Sequence, residues 1–440
     1  MKPMLIRGGW VIDPGQGING PGSLLITDGQ ISRLETGDIA LPHTDYDVLH
    51  AEGMVVSPGF IDLHCHLREP GYENKETIAT GSMAAARGGF TTICCMPNTD
   101  PPLDSTTAID YVKYETRETG AVRVLPVGCI TLGRLGEELA DMKSLAGAGA
   151  IAFSDDGSPL ANSRLMREAL ELSLSLGLYI INHPEDTTLT DGGQMNEGAA
   201  ANALGLAGMP AVAEEIMVAR DLALAALTGG HLHLAHVSTR GSVELIARAK
   251  EKGINVTAEV TPHHLTMTEN VVTITNTSTK VNPPLRTQED IKALIQGLKD
   301  GIIDAIATDH APHTDADKRC DYAHAAFGIS GFETAFGSLM TLVHGNQLTL
   351  STLIARLTSE PARILGDRHG KLGTLSPGAP ADITLFDPQK EWVVDTGLFA
   401  SKGKNTPLNG SVLKGKIMVT IYRGKPVYKD ESIKLITGVL

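Results

Sequence analysis

Cysteine is scarce in this chain. Five thiols, at positions 65, 94, 95, 129 and 320, are spread through 440 residues with no Cys-x-x-Cys spacing. That excludes the disulfide framework of small secreted domains and a thiolate zinc site. Long hydrophobic runs are missing too: no stretch approaches the ~20 apolar residues needed to cross a bilayer. The opening residues Met1 to Gly9 lack the apolar core of a signal peptide, so a cytoplasmic protein with no membrane partner is expected. Basic residues are outnumbered, 37 against 51 acidic ones, for a formal net charge of −14. This balance excludes a nucleic-acid surface, which needs a basic patch. It still allows a few local arginines to hold a small anion, because salt screens distant acidic charge over about 10 Å.

What the chain does contain is an ordinary globular composition, 42% hydrophobic and 20% charged, over a length that implies one large domain with an appendage, or two domains. From residue 54 onward, runs rich in Val, Ile and Thr alternate with amphipathic stretches, the pattern of repeated strand-helix units around a parallel sheet. Eight such runs are Gly59 to His66, Phe90 to Met96, Val122 to Ile130, Ala150 to Ser154, Leu178 to His183, Leu232 to Val237, Ile254 to Val260 and Ile303 to Thr308. Helices are expected over Ser163 to Leu176, Ala211 to Leu227, Gly241 to Glu251 and Asp290 to Asp300, where apolar residues recur at three and four positions. The expected fold class is α/β, a (β/α)8 barrel over residues 54–371. Residues 1–53 and 372–440 instead show short strands punctuated by turn residues, such as Thr27-Asp28-Gly29 and Ser376-Pro377-Gly378. These two ends are expected to pair into a small β-sandwich.

The chemistry sits at the predicted strand ends. His64 and His66 close the apolar run that starts at Val55, and side chains at i and i+2 of a strand share a face, so both imidazoles can reach one ion. A lone His-x-His also fits two hydrogen-bonded strand neighbours. Further candidates recur at four other ends: Asp155-Asp156-Gly157, His183, His236 and Asp309-His310. With one aspartate of the 155–156 pair, six nitrogen and carboxylate ligands exceed what one tetrahedral ion takes, which points to a two-metal centre. The aspartate pair before Gly157 also fits a plain turn. By strict alternation His231 and His233 face away from His236 and read as structural, and His263 and His264 read as packing or supporting residues.

Three stretches carry a family resemblance: Pro58 to Gly71, Gly88-Gly89-Phe90-Thr91-Thr92 leading to Met96-Pro97-Asn98-Thr99, and Ala307 to His313. With Phe153 to Gly157 and Val281 to Arg286, they make the chain resemble the amidohydrolase superfamily and, more narrowly, the dihydroorotases, over essentially its whole length. The resemblance implies two zinc ions per subunit, one held by His64, His66 and Asp309, the other by His183 and His236, with Asp156 rather than Asp155 between them. It implies substrate contacts from Arg68, Asn98, Asn282 and His313, and backbone groups at Phe327 and Gly328 closing one side. Related hydantoinases and allantoinases bridge their metals with a carbamylated lysine, but no lysine stands at the end of the fourth run here.

The activity so implied is reversible hydrolysis of dihydroorotate to N-carbamoyl-L-aspartate in pyrimidine (UMP) biosynthesis, with Asp309 moving the proton. Arg68 would grip the ring carboxylate through two parallel charge-assisted bonds. A homo-oligomer, and a complex with aspartate carbamoyltransferase, are further expectations of the resemblance. A non-catalytic scaffold for that transferase would be expected to have lost ligands, whereas all six are present. The connection from Ala311 to Gly331 is long enough for a lid or a partner-binding element, or for a plain solvated link.

Overall fold

A computed structural model describes residues 2–39 and 46–437; residues 1, 40–45 and 438–440, all within the two end segments, lie outside the described residues. Seven of the eight expected runs form strands: Phe60–Cys65, Phe90–Cys95, Arg123–Pro126, Tyr179–Asn182, His231–Leu234, Val256–Val260 and Ala305–Ile306. The first three make one parallel sheet in chain order and the last four a second. Nearly all their residues are buried, as expected of parallel strands covered on both faces.

The expected run Ala150 to Ser154 does not become a strand. Only Phe153 forms parallel bridges, to Gly128 on one side and Ile180 on the other. The ladder stops because Asp155 turns the chain, accepting hydrogen bonds from the N–H groups of Ile130 and Thr131 at 2.9 and 3.1 Å. On the far edge, Cys65 bridges His310, with Asp309 N–H donating to the His64 carbonyl at 3.0 Å and His66 N–H to the His310 carbonyl at 2.8 Å.

The helices follow the periodicity within two residues at each end: Ser163–Leu176, Val212–Thr228, Arg240–Glu251 and Gln288–Asp300. Their limits have local causes. Asn162, Thr239 and Thr287 cap the first turns of three of them, while Gly177, Gly229 and Gly301 end helices in the left-handed conformation that glycine adopts without a Cβ clash. The helix at 163–176 buries Leu165, Met166, Ala169 and Leu170; each large aliphatic side chain so buried contributes about 1.5–3 kcal/mol.

The two chain ends meet in one nine-stranded sheet. Val55–Pro58 joins them, pairing parallel with Met4–Asp13 and antiparallel with the start of Ile383–Val393. The single apolar run from Val55 to Leu63 therefore divides between two sheets, and the end sheet extends beyond residue 53. Gly59 stands at the division, where a Cβ would lie 2.1 Å from Thr91 Oγ1, so no larger residue fits. Ile6, Val11, Leu24, Ile26, Val56, Leu385 and Val419 share that sheet's core.

Candidate metal centre

Each predicted ligand sits on, or just beyond, the carboxyl end of its strand or bridge. His64 is the fifth residue of Phe60–Cys65 and His66 follows it; His183, His236 and Asp309 come one, two and three residues after their strands. Asp156 follows the bridged Phe153. His236 and Asp309 have φ of 33° and 45°, and Arg68 has φ of 63°. Left-handed conformations of non-glycine residues cost of order 1–3 kcal/mol each, and such costs concentrate where side-chain aim matters. Here they turn ligands off the regular alternation. The parity argument about His231 and His233 fails for that reason, since the strand ends at Leu234 before His236 is reached.

The side chains converge on Asp156. Its Oδ1 lies 3.4 Å from His64 Nε2, 3.5 Å from His236 Nε2 and 3.7 Å from His183 Nδ1, while Oδ2 lies 3.5 Å from His66 Nε2. Asp309 Oδ1 is 2.9 Å from His66 Nε2 and 3.7 Å from His64 Nε2. His183 Nδ1 and His236 Nε2 are 2.9 Å apart. All six residues are buried, from 0% exposure at His64 to 8% at Asp309. Burial alone would raise both carboxyls, but the charge of His64 and the nearby rings of His183 and His236 hold Asp156 far below the usual carboxylate range. The His66 bond and the His64 charge do the same for Asp309.

This donor set fits a divalent metal ion. Among the described residues, His64 Nε2 and Asp156 Oδ1 are buried yet have no hydrogen-bond partner, an arrangement native proteins avoid unless something else satisfies the lone pairs. His64, His66 and Asp156 form one group with ligand atoms within 4.8 Å of one another, and Asp156, His183 and His236 form a second. The neighbouring Asp155 has another task, holding the turn through Ile130, Thr131 N–H and Thr131 Oγ1.

Three of the candidate ligand imidazoles are held from behind, which fixes ring orientation and basicity. His64 Nδ1 lies 2.8 Å from Glu259 Oε1, His66 Nδ1 2.9 Å from Asn98 Oδ1, and His183 Nε2 2.8 Å from Glu185 Oε2. Asn282 Nδ2 donates to the same Glu185 oxygen at 2.8 Å. The two asparagines expected to touch substrate are thus tied to the ligand shell by one end, leaving Asn98 Nδ2 and Asn282 Oδ1 without a partner among the described residues.

Arg68 Nε donates to the Pro312 carbonyl at 3.3 Å, and its NH2 lies 3.4 Å from His313 Nε2. That nitrogen also lies 2.8 Å from the Phe327 carbonyl, which can only accept, so it carries the proton. Burial and the charge of Arg68 push the His313 pKa down to about 3, leaving the ring neutral. The backbone of Gly328 is already engaged: its N–H donates to Lys280 and its carbonyl accepts from Asn405 Nδ2 at 3.0 Å. Asn405 also donates to Ala311 O and accepts from His313 N and Ser330 Oγ, pinning both ends of the 311–331 connection. Lys318 Nζ anchors its middle on the carbonyls of Thr277, Lys280 and Ala326. His264 bonds Thr261 and the Pro283 carbonyl, a packing role.

Glu259, Glu185 and Asn405 are absent from the sequence reading. An acid inside the otherwise apolar Val256–Val260 is a visible signal for Glu259. Asn405 lies 92 residues from His313 and carries none.

A Dihydro-orotase-like family model matches residues 53–242, and an Amidohydrolase family model matches residues 205–428. A dihydroorotase from Syntrophus aciditrophicus is 50% identical over 428 residues, covering 97% of this chain and all of the relative. One from Aquifex aeolicus is 48% identical over 430 residues, covering 98% of this chain and all of the relative. Among solved structures, the L-hydantoinase (dihydropyrimidinase) of Arthrobacter aurescens superposes with a TM-score of 0.87 at 25% identity, covering 100% of this chain and 98% of its own. The dihydropyrimidinase of Brevibacillus agri, at 24% identity and TM-score 0.84 over 98% and 95% of the two chains, shares the fold. Half-identity across the full length, two family matches and a donor set built for divalent metal lead to one assignment: this chain belongs to the dihydroorotase family of the amidohydrolases.

Proposed function

We propose that the protein hydrolyses dihydroorotate reversibly to N-carbamoyl-L-aspartate, as a cytoplasmic enzyme of pyrimidine biosynthesis using two zinc ions per subunit. The observation that carries this reading is the convergence of His64, His66, His183 and His236 on Asp156, with the ionised Asp309 beside them. His64, His66 and Asp309 would hold one ion and His183 and His236 the other, with Asp156 between. When bound, such ions supply Lewis acidity, lowering the pKa of water from 15.7 to about 7 and polarising a carbonyl.

The chain's own residues do the rest. Arg68 binds the ring carboxylate, with the free Asn98 Nδ2 and the His313 ring beside it. Asp309, ionised at neutral pH, accepts the proton of the attacking water and returns it to the leaving amide nitrogen, general base followed by general acid. Phe327 and Gly328 contribute by shape and by fixing His313, since their carbonyls and the Gly328 N–H are already taken.

The architecture in this reading is a closed (β/α)8 barrel whose first strand is Phe60–Cys65, with residues 1–53 and 372–440, joined through Val55–Pro58, forming the sandwich. The Gly128–Phe153–Ile180 and Cys65–His310 bridges, which link the two parallel sheets at both seams, support closure. A homo-oligomer and a complex with aspartate carbamoyltransferase, whose product is the carbamoyl compound used here, complete the proposal. The test is a substrate panel: turnover of dihydroorotate and none of dihydrouracil, which lacks the carboxylate, is expected. Preference for dihydrouracil would overturn the reading.

A further inference from the structure

Behind the metal centre, a chain of hydrogen bonds continues down the barrel interior. His64 Nδ1 is 2.8 Å from Glu259 Oε1, Glu259 Oε2 is 3.1 Å from His233 Nε2, and His233 Nδ1 is 2.8 Å from Thr257 Oγ1. The same hydroxyl lies 2.8 Å from His231 Nε2, and His231 lines a cavity of about 460 Å³ together with Tyr179, Asn255 and His369. Two neighbouring strands build the column. Thr257 and Glu259 share a face of Val256–Val260, His231 and His233 share a face of His231–Leu234, and His233 pairs directly with Thr257.

The protons have one consistent placement. Glu259 Oε1 is a carboxylate oxygen and only accepts, so His64 carries a hydrogen on Nδ1 and donates it there, leaving Nε2 as the nitrogen that would reach an ion. A carboxylate only accepts, so His233 carries its hydrogen on Nε2 and presents a lone pair at Nδ1. Thr257 has one hydrogen, which goes to that lone pair, and its oxygen then accepts from His231 Nε2–H. Every link has a donor and an acceptor. Glu259 and His233 are 1% and 0% exposed, and among the described residues no Lys or Arg is paired with the carboxylate. Burial disfavours the charged carboxylate, which a cation held by His64 on its other face would offset.

Resting on the metal-dependent reading above, we infer that Glu259, His233 and Thr257 act as positioning residues, a column that locks the His64 tautomer and sets how tightly the centre holds its ions. Glu259 supplies the acceptor, His233 holds that carboxylate in place, and Thr257 fixes the tautomer of His233.

The experiment is competition for zinc between the full-length protein and a chromogenic chelator at neutral pH, with melting of the metal-free proteins alongside. Glu259→Gln is expected to bind zinc 10- to 100-fold more weakly, the usual effect of losing a partner behind a ligand, with the metal-free melting point little changed. Thr257→Val should weaken binding by a smaller factor and Thr257→Ser, which keeps the hydroxyl, should restore it. Wild-type affinity in Glu259→Gln, or equal affinity in Thr257→Val and Thr257→Ser, would overturn the column while leaving the metal reading intact. If Glu259→Gln does not fold, the Thr257 pair decides alone. A wild-type protein that binds no zinc would remove the metal reading, and the column with it.

Discussion

The side-chain carbonyl of Asn98 accepts a hydrogen bond from His66 Nδ1 at 2.9 Å, while His66 Nε2 faces Asp309 at the same distance. One ring is thus oriented from both sides, and Asn98 acts on a candidate metal ligand before it can act on a substrate. Asn98→Ala is therefore expected to lower metal affinity by about 10- to 100-fold, read as metal retained after dialysis against a graded chelator. Full retention, with only the Michaelis constant raised, would return Asn98 to a pure substrate contact.

Arg68 is partly buried in a left-handed conformation; among the described residues its guanidinium bonds only to the Pro312 carbonyl, and it lies against the His313 Nε2–H, which has no lone pair to offer it. Its guanidinium is therefore available to an anion. Arg68→Met should reduce kcat/KM for dihydroorotate by roughly 10- to 100-fold, through KM, the range for losing hydrogen bonds to a charged group. An unchanged KM would remove it from the substrate.

Asp309 is held in its ionised form by His66 and His64 despite burial. Asp309→Asn keeps the shape and removes the base, so kcat should fall by about 10²–10⁴ while the melting point of the metal-free protein is retained. Turnover near the wild-type rate would refute the proton role.

The pair His183–Glu185 makes a pH prediction for the metal-free protein. Burial opposes both charges, but the nearby Asp156 carboxylate and the bond to Glu185 raise His183 to about 10, and bonding to His183, Thr190 and Asn282 lowers Glu185 to about 2. A raised histidine stabilises fully below its unfolded pKa of about 6.5 and loses that contribution as pH rises toward 10; a lowered glutamate stabilises fully above about 4.5 and loses it as pH falls toward 2. The pair is therefore at full strength between about pH 4.5 and 6.5. The melting-point difference between wild type and Glu185→Gln should peak in that window and shrink on both sides; a difference that grows above pH 8 would contradict the assignment.

Much of this was legible before any coordinates. The amphipathic period placed four helices within two residues, because a buried apolar stripe and its caps are both local properties. Five of the six candidate ligands were legible because each stands beside a strand end; Asp156 rather than Asp155 came from the family resemblance, since the Ala150 to Ser154 run forms only the Phe153 bridges. What escaped was set by tertiary contact. Nothing in Ala150 to Ser154 says that Asp155 will spend its oxygens on Ile130 and Thr131, and nothing near Val55 says that the run divides at Gly59, since the division is set by pairing with Ile383–Val393 on one side and Phe90–Cys95 on the other. The parity rule misjudged its own premise at His236, where a left-handed residue resets the alternation. Asn98 and Asn282 were placed on the substrate by family pattern, although the bonds they make to His66 and Glu185 require the folded site.

The most direct measurement pairs metal analysis of the purified protein with dihydroorotate turnover before and after chelation. Two divalent ions per chain, with turnover that disappears on their removal and returns on zinc addition, is the predicted result. Undiminished turnover in a protein stripped of metal would contradict a reaction built around Asp156 and its four histidines.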